Sequence, residues 1–249
     1  MSRRALSTLF WIFLASTSIL LFPVAVVIWA GTVLFDRHLV VLHRFTCFWA
    51  SLYTWFNPAW PVTVEGRERV RPGVAYVMVS NHQSLLDILV LFRLFVHFKW
   101  VSKIENFRIP FIGWNMRLNR YIQLKRGDRA SVIQMMEAAE KTLRAGNPIM
   151  MFPEGTRSVD GRLRAFKTGA FELAKKVGVP VLPIVLEGTG NALPKRGFVL
   201  QGRHPIRLRV LDEIPPERFA SQTADELTAQ VRELYVKELH EGAPVSEPV

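Results

Sequence analysis

The chain has 249 residues, 49% of them hydrophobic, with a net charge of +11 and one cysteine, Cys47. That apolar content excludes a disordered chain, and a lone cysteine excludes an intramolecular disulfide or a cysteine-based metal site. The charge directs the chain towards anionic partners, and nucleic acid, anionic lipid surfaces and phosphorylated substrates all satisfy it.

From Ala5 to Phe35 no residue is charged. About 20 apolar residues span a bilayer, so this run is long enough, and it exceeds the roughly 7–15 residue core of a signal peptide. Pro23 either kinks one long helix here or separates two short ones folded as a hairpin. Leu39 to Trp60 is again apolar and rich in aromatic residues, reading as an interfacial piece or a second crossing. Residues 1–60 are therefore expected to form a helical membrane anchor, ahead of a second domain at 61–240 and a flexible tail at 241–249.

After Pro61, short apolar runs alternate with amphipathic segments, the pattern of an α/β domain with a mixed sheet flanked by helices. Strands are predicted at Pro61–Glu65, Val74–Val79, Phe98–Val101, Pro148–Phe152, Val179–Leu186 and Ile206–Val210. Helices are predicted at Leu85–Phe95, Ala130–Arg144, Lys167–Val177 (closed by Gly178) and Thr223–His240, the last opened by a Thr223/Glu226 capping box. Between Lys99 and Arg129 lies a basic loop, with eight Lys or Arg against Glu105 and Asp128, interleaved with aromatic residues. Such a stretch suits an anionic membrane surface; a merely solvated charged face is the alternative.

Two polar clusters follow predicted strands, where open α/β sheets place their ligands. The first runs from Asn81 to Asp87. On one continuous helix His82 and Asp87 would point ~140° apart, because each residue turns ~100°. They meet only if His82 lies in the entering turn and Asp87 in the first turn of the helix. The carboxylate then fixes one imidazole nitrogen and frees the other to take a proton. Helix capping by Asn81 and Ser84 is the competing reading. The second cluster, Phe152 to Ser158, puts a glycine and Arg157 at a strand end, either as a phosphate seat or as a surface turn.

Together these segments closely resemble the glycerolipid acyltransferase family that includes bacterial 1-acylglycerol-3-phosphate acyltransferases. Four blocks match in order over Val62 to Pro215. They are Asn81-His82-Gln83-Ser84-Leu85-Leu86-Asp87; Lys103 with Ile109-Pro110-Phe111-Ile112-Gly113 and Arg126; Phe152 to Ser158 with Phe166-Lys167-Thr168-Gly169; and Val179-Pro180-Val181-Leu182-Pro183. Where bacterial members usually carry Ile-Asp-Arg, this chain has Leu124-Lys125-Arg126, which adds positive charge near the acceptor head.

The resemblance implies that His82 is the general base and Asp87 its orienting partner. It implies that Lys103, Arg126, Glu154, Gly155, Thr156 and Arg157 hold a lysophospholipid acceptor. The donor is acyl-CoA or acyl carrier protein, with no metal or other cofactor. The expected place is the inner membrane, with the catalytic domain facing the cytoplasm. Rival readings are the same reaction on another lysolipid, and a non-catalytic protein that binds anionic lipid. Nucleic acid is not expected as a partner, since no recognisable module is present and the uncharged run would go unexplained.

Overall fold

The structure is a computed structural model and describes residues 2–195 and 198–241. The expected tail beyond Glu241 lies outside the described residues. Helix α1 (Arg3–Thr32) is continuous and contains Pro23. At 1.5 Å per residue it is ~45 Å long, more than a ~30 Å hydrocarbon layer requires. Each Ser and Thr within it (7, 8, 16, 17, 18 and 32) donates its hydroxyl to the carbonyl four residues earlier. Those bonds hide the polar groups from an apolar surrounding. Leu6, Leu9, Leu20, Val24 and Val27 are exposed on its outer side.

The chain turns back at Leu39, a buried leucine at φ +59°, into α2 (Val40–Trp55). Pro23 therefore does not divide α1; the reversal falls after it. Leu42, Cys47, Trp49 and Tyr53 of α2 belong to the same apolar core as the sheet, so this segment packs on the α/β body. Phe22 of α1 meets Phe111 and Trp114, and Phe10 meets Trp60, in edge-to-face pairs.

Among the described residues seven strands follow: β1 (Val62–Glu65), β2 (Val77–Ser80), β3 (Lys99–Lys103), β4 (Ile122–Leu124), β5 (Ile149–Met151), β6 (Val181–Glu187) and β7 (Ile206–Val210). They form one mixed sheet in the order β1-β7-β6-β2-β5-β3-β4. β6 through β4 run parallel, while β7 is antiparallel to β6 and parallel to β1. The remaining helices are α3 (Leu86–Leu91), α4 (Ile112–Leu118), α5 (Arg129–Arg144), α6 (Gly169–Val177), α7 (Thr189–Ala192) and α8 (Ala224–Glu241).

Alternation along the strands sorts the core into two layers. Tyr76 and Met78 face α2 and α3, whereas Val77 and Val79 face α5, α6 and α8. The predicted helical spacing of α5 is realised at Met135, Ala139 and Leu143, which are buried; Val132 is exposed. The Thr223/Glu226 box opens α8 as read, with Thr223 N bonding Glu226 Oε2 at 2.7 Å and Glu226 N bonding Thr223 Oγ1 at 3.2 Å. Helix α4 and strand β4 were not legible inside the basic loop, because seven and three residues are too few to show a period.

Between β2 and β6 the ladder is bridged by side chains. The Tyr235 hydroxyl of α8 accepts from Ile184 N (3.0 Å) and donates to Val79 O (2.7 Å). Further along, Asn81 pairs with the Leu186 backbone in both directions at 2.8 Å. Asn81 thus extends the strand edge with its amide; it is not the cap of α3.

Candidate active site

His82 leaves β2 in the turn before α3, and Asp87 is the second residue of α3. That is the arrangement in which the pair can meet. His82 Nδ1 lies 2.7 Å from Asp87 Oδ2, which also accepts from the amides of Gln83 (2.6 Å) and Ser84 (2.8 Å). An oxygen already receiving two N–H groups is an acceptor, so Nδ1 donates to it, and in the neutral imidazole the lone pair is on Nε2. Among the described residues Nε2 has no partner, and His82 is 8% exposed. Ser84 does cap in part, accepting from Leu86 N at 3.1 Å, while donating to Leu193 O at 2.6 Å. Capping and acid–base geometry therefore coexist in one turn.

Phe152, the residue after β5, lies flat on the imidazole, with ring centroids 3.8 Å apart and planes 9° from parallel. The loop that continues from it is bound to the first cluster. Ser158 N donates to His82 O at 2.8 Å, and His82 N donates to Glu154 Oε1 at 2.7 Å. The other Glu154 oxygen accepts from Arg164 N at 3.1 Å. Burial, the largest influence, raises the Glu154 pKa; these two amides oppose the rise and Asp87 adds to it. Both oxygens of Glu154 are thus committed inward, to the main chain.

Gly155, at φ +69°, turns the chain outward. Among the described residues the Thr156 and Arg157 amides, the Thr156 hydroxyl and the Arg157 guanidinium have no hydrogen-bond partner. Burial lowers the Arg157 pKa, with Asp87 opposing the change and Arg126 reinforcing it. The turn offers donors and positive charge, the chemistry of an anion seat.

Lys103 ends β3 and Arg126 follows β4 by two residues, in strands whose register pairs Lys103 with Leu124. The site residues thus line the C-terminal edge of the sheet across β2, β5, β3 and β4, at ~4.8 Å per strand. Lys103 pairs with Glu105 at 3.1 Å, and Lys125 with Asp128 at 3.2 Å, which offsets its charge locally. The eight cations of the basic stretch do not share one surface. Lys99 is buried, with Nζ donating to His38 O (2.7 Å) and Asn119 O (2.9 Å). Lys99 starts its strand, at the edge opposite His82.

An imidazole with one free lone pair, beside a turn of unpaired donors, is equipment for moving a proton next to an anion. The pattern of the Acyltransferase family matches residues 61–187, and the chain belongs to that family. A 1-acyl-sn-glycerol-3-phosphate acyltransferase from Chlamydomonas reinhardtii is 39% identical over 227 residues, covering 89% of this chain and 66% of that protein. One from Helicobacter pylori is 30% identical over 172 residues, 67% of this chain and 71% of its own. The chain spans about half of the Brassica napus and Arabidopsis thaliana relatives, 47% and 45%. The crystal structure of the 1-acyl-sn-glycerophosphate acyltransferase PlsC from Thermotoga maritima superposes with a TM-score of 0.77 at 25% identity, covering 99% of this chain and 100% of that one. The mixed seven-stranded sheet flanked by helices matches that fold.

Proposed function

We propose that this protein transfers a fatty acyl group from a thioester to the free hydroxyl of 1-acyl-sn-glycerol-3-phosphate, giving phosphatidic acid. The names of its relatives support that acceptor, and the observation that carries the chemistry is the His82–Asp87 pair with Nε2 unengaged. Nε2 takes the hydroxyl proton as the oxygen attacks the thioester carbonyl. The tetrahedral adduct collapses, its C–S bond breaks, and the departing thiolate takes the proton back from the imidazolium. Asp87 steadies that cation and Phe152 lies against its face. No acyl-enzyme forms and no metal or other cofactor is called for.

The acceptor's phosphate sits on the Thr156–Arg157 turn, with Arg126 and Lys103 supplying charge further along the strand edge. Glu154 serves by holding the His82 backbone. The thioester carrier is coenzyme A or acyl carrier protein. The uncharged outer side of α1 embeds in the cytoplasmic membrane, with the α/β body on the cytoplasmic side.

Purified protein is assayed with lysophosphatidic acid, other lysolipids and monoacylglycerol, using acyl-CoA and acyl carrier protein donors in turn. Phosphatidic acid is the expected product, and His82→Ala loses activity by about 10²–10⁴ while still binding lysolipid. Equal rates on lysophosphatidic acid and monoacylglycerol, or substantial turnover by His82→Ala, overturn the reading.

A further inference from the structure

Lys167 lies across Gly155. A β-carbon on Gly155 would stand 3.0 Å from Lys167 Cε and 3.2 Å from Nζ. The placement is built. Phe166 packs into the core against Phe171 and Tyr235, and Lys167 N donates to Pro153 O at 2.9 Å. With the backbone held at both points, the lysine side chain runs over the face that the missing side chain leaves open. Among the described residues nothing takes the Lys167 ammonium, whereas Lys103, Lys125 and Lys176 pair with carboxylates and Lys175 with carbonyls. An unpaired ammonium laid over a turn that already presents two free amides, a hydroxyl and a guanidinium adds one more donor and a second full charge. A phosphate monoester carries about −1.5 to −2 at neutral pH, more than the one guanidinium on the turn itself offsets, and Arg126 and Lys103 stand further along the strand edge.

We propose that Lys167 stands beside Arg157 as a further cation directly over the phosphate seat on the Glu154–Arg157 turn, and that Gly155 is glycine partly so that the ammonium can reach the anion. This rests on the acyltransferase reading, in which both substrates bring phosphate: the acceptor its monoester, the donor the phosphates of its carrier. Lys167→Met keeps the aliphatic contact with Gly155 and removes the charge. Losing one charge-assisted hydrogen bond corresponds to about tenfold or more in the Michaelis constant of whichever substrate brings the phosphate.

Each constant is measured with the other substrate saturating. A rise in the acceptor's constant places the acceptor there; a rise in the donor's places a phosphate of the donor's carrier there. Lys167→Arg should recover part of the loss. Lys176→Met, which removes the same charge at the other end of α6, should change neither constant. Both constants unchanged in Lys167→Met overturn the proposal.

A second readout does not need turnover. Glycerol 3-phosphate should raise the melting temperature of the wild-type protein and not that of Lys167→Met. If wild type transfers no acyl group but shows that shift, the acyltransferase reading falls and the seat stands. If wild type shows neither, both fall.

Discussion

Phe152 and His82 lie ring on ring at 3.8 Å, which makes the strand end that opens the second polar cluster a wall of the first. The stack limits rotation of the imidazole and sets an aromatic face against it when it becomes a cation. Such contacts are worth about 0.5–1.5 kcal/mol. Phe152→Leu should therefore lower kcat about three- to tenfold and leave the acceptor KM within about twofold. Steady-state kinetics decides; a raised KM at unchanged kcat would mean that Phe152 shapes the acceptor pocket.

Glu154 offers a second kinetic test. Its two oxygens serve two amides, and in Glu154→Gln one oxygen must serve both while the new NH₂ group faces a donor. Leaving one buried amide unsatisfied costs about 1–3 kcal/mol. The expected result is a lower melting temperature and at least a tenfold fall in kcat, with the acceptor KM little changed. A large rise in that KM with normal stability would put Glu154 on the substrate.

Removing the Tyr235 hydroxyl leaves Ile184 N and Val79 O facing each other without their bridge. Tyr235→Phe should cost about 1–3 kcal/mol, or roughly 2–12 °C in Tm for a chain of this size. Differential scanning calorimetry measures it. An unchanged Tm would show that the two strands close on each other directly.

At the opposite edge of the sheet, Asn147 Oδ1 lies 3.0 Å from both His38 Nδ1 and His97 Nε2. Burial chiefly, with the Lys99 charge beside it, pushes the His97 pKa down to about 4 from 6.5; His38 adds to the fall, while Asn147 and Asp36 oppose it. Lys99 is pushed down to about 7 from 10.5, again chiefly by burial, with Arg120 adding and Asp36 opposing. From pH 4 to 6.5 the unfolded chain binds more protons at His97 than the folded one, so stability rises with pH. Lys99 continues the rise from about 7 upward. Tm plotted against pH should climb over the first interval and climb less in His97→Gln. Matching slopes in the two proteins would exclude His97 as the cause.

The elements of the α/β body were readable because each carries its own period: alternation in β7, the helical spacing of α5, the capping box of α8. Helix α4 and strand β4 were unreadable, being too short to show one. Lys99 belongs to the basic stretch by charge, yet charge does not reveal burial, and the carbonyls of His38 and Asn119 with the nearby Asp36 carboxylate receive its ammonium inside the fold. Leu39 to Trp60 reads as an interfacial piece or a second crossing, and its packing on the sheet is not legible, since a helix apolar enough for lipid is also apolar enough to cover a sheet.

The spacing of His82 and Asp87, five positions apart, states only the condition under which they meet, and the family resemblance supplies their roles; the structure meets the condition by putting His82 in the entering turn and Asp87 in α3. The amino-acid order alone settled the residue types at the strand ends, and with them an imidazole, a carboxylate and a turn rich in donors. Only the tertiary structure decided that Glu154 faces the backbone, that Phe152 covers the imidazole and that Lys167 crosses Gly155. Those contacts join residues 10 to 72 positions apart. Their geometry depends on how β2 and β5 lie side by side and on what α6 and α8 press against them, and no local period or spacing encodes that.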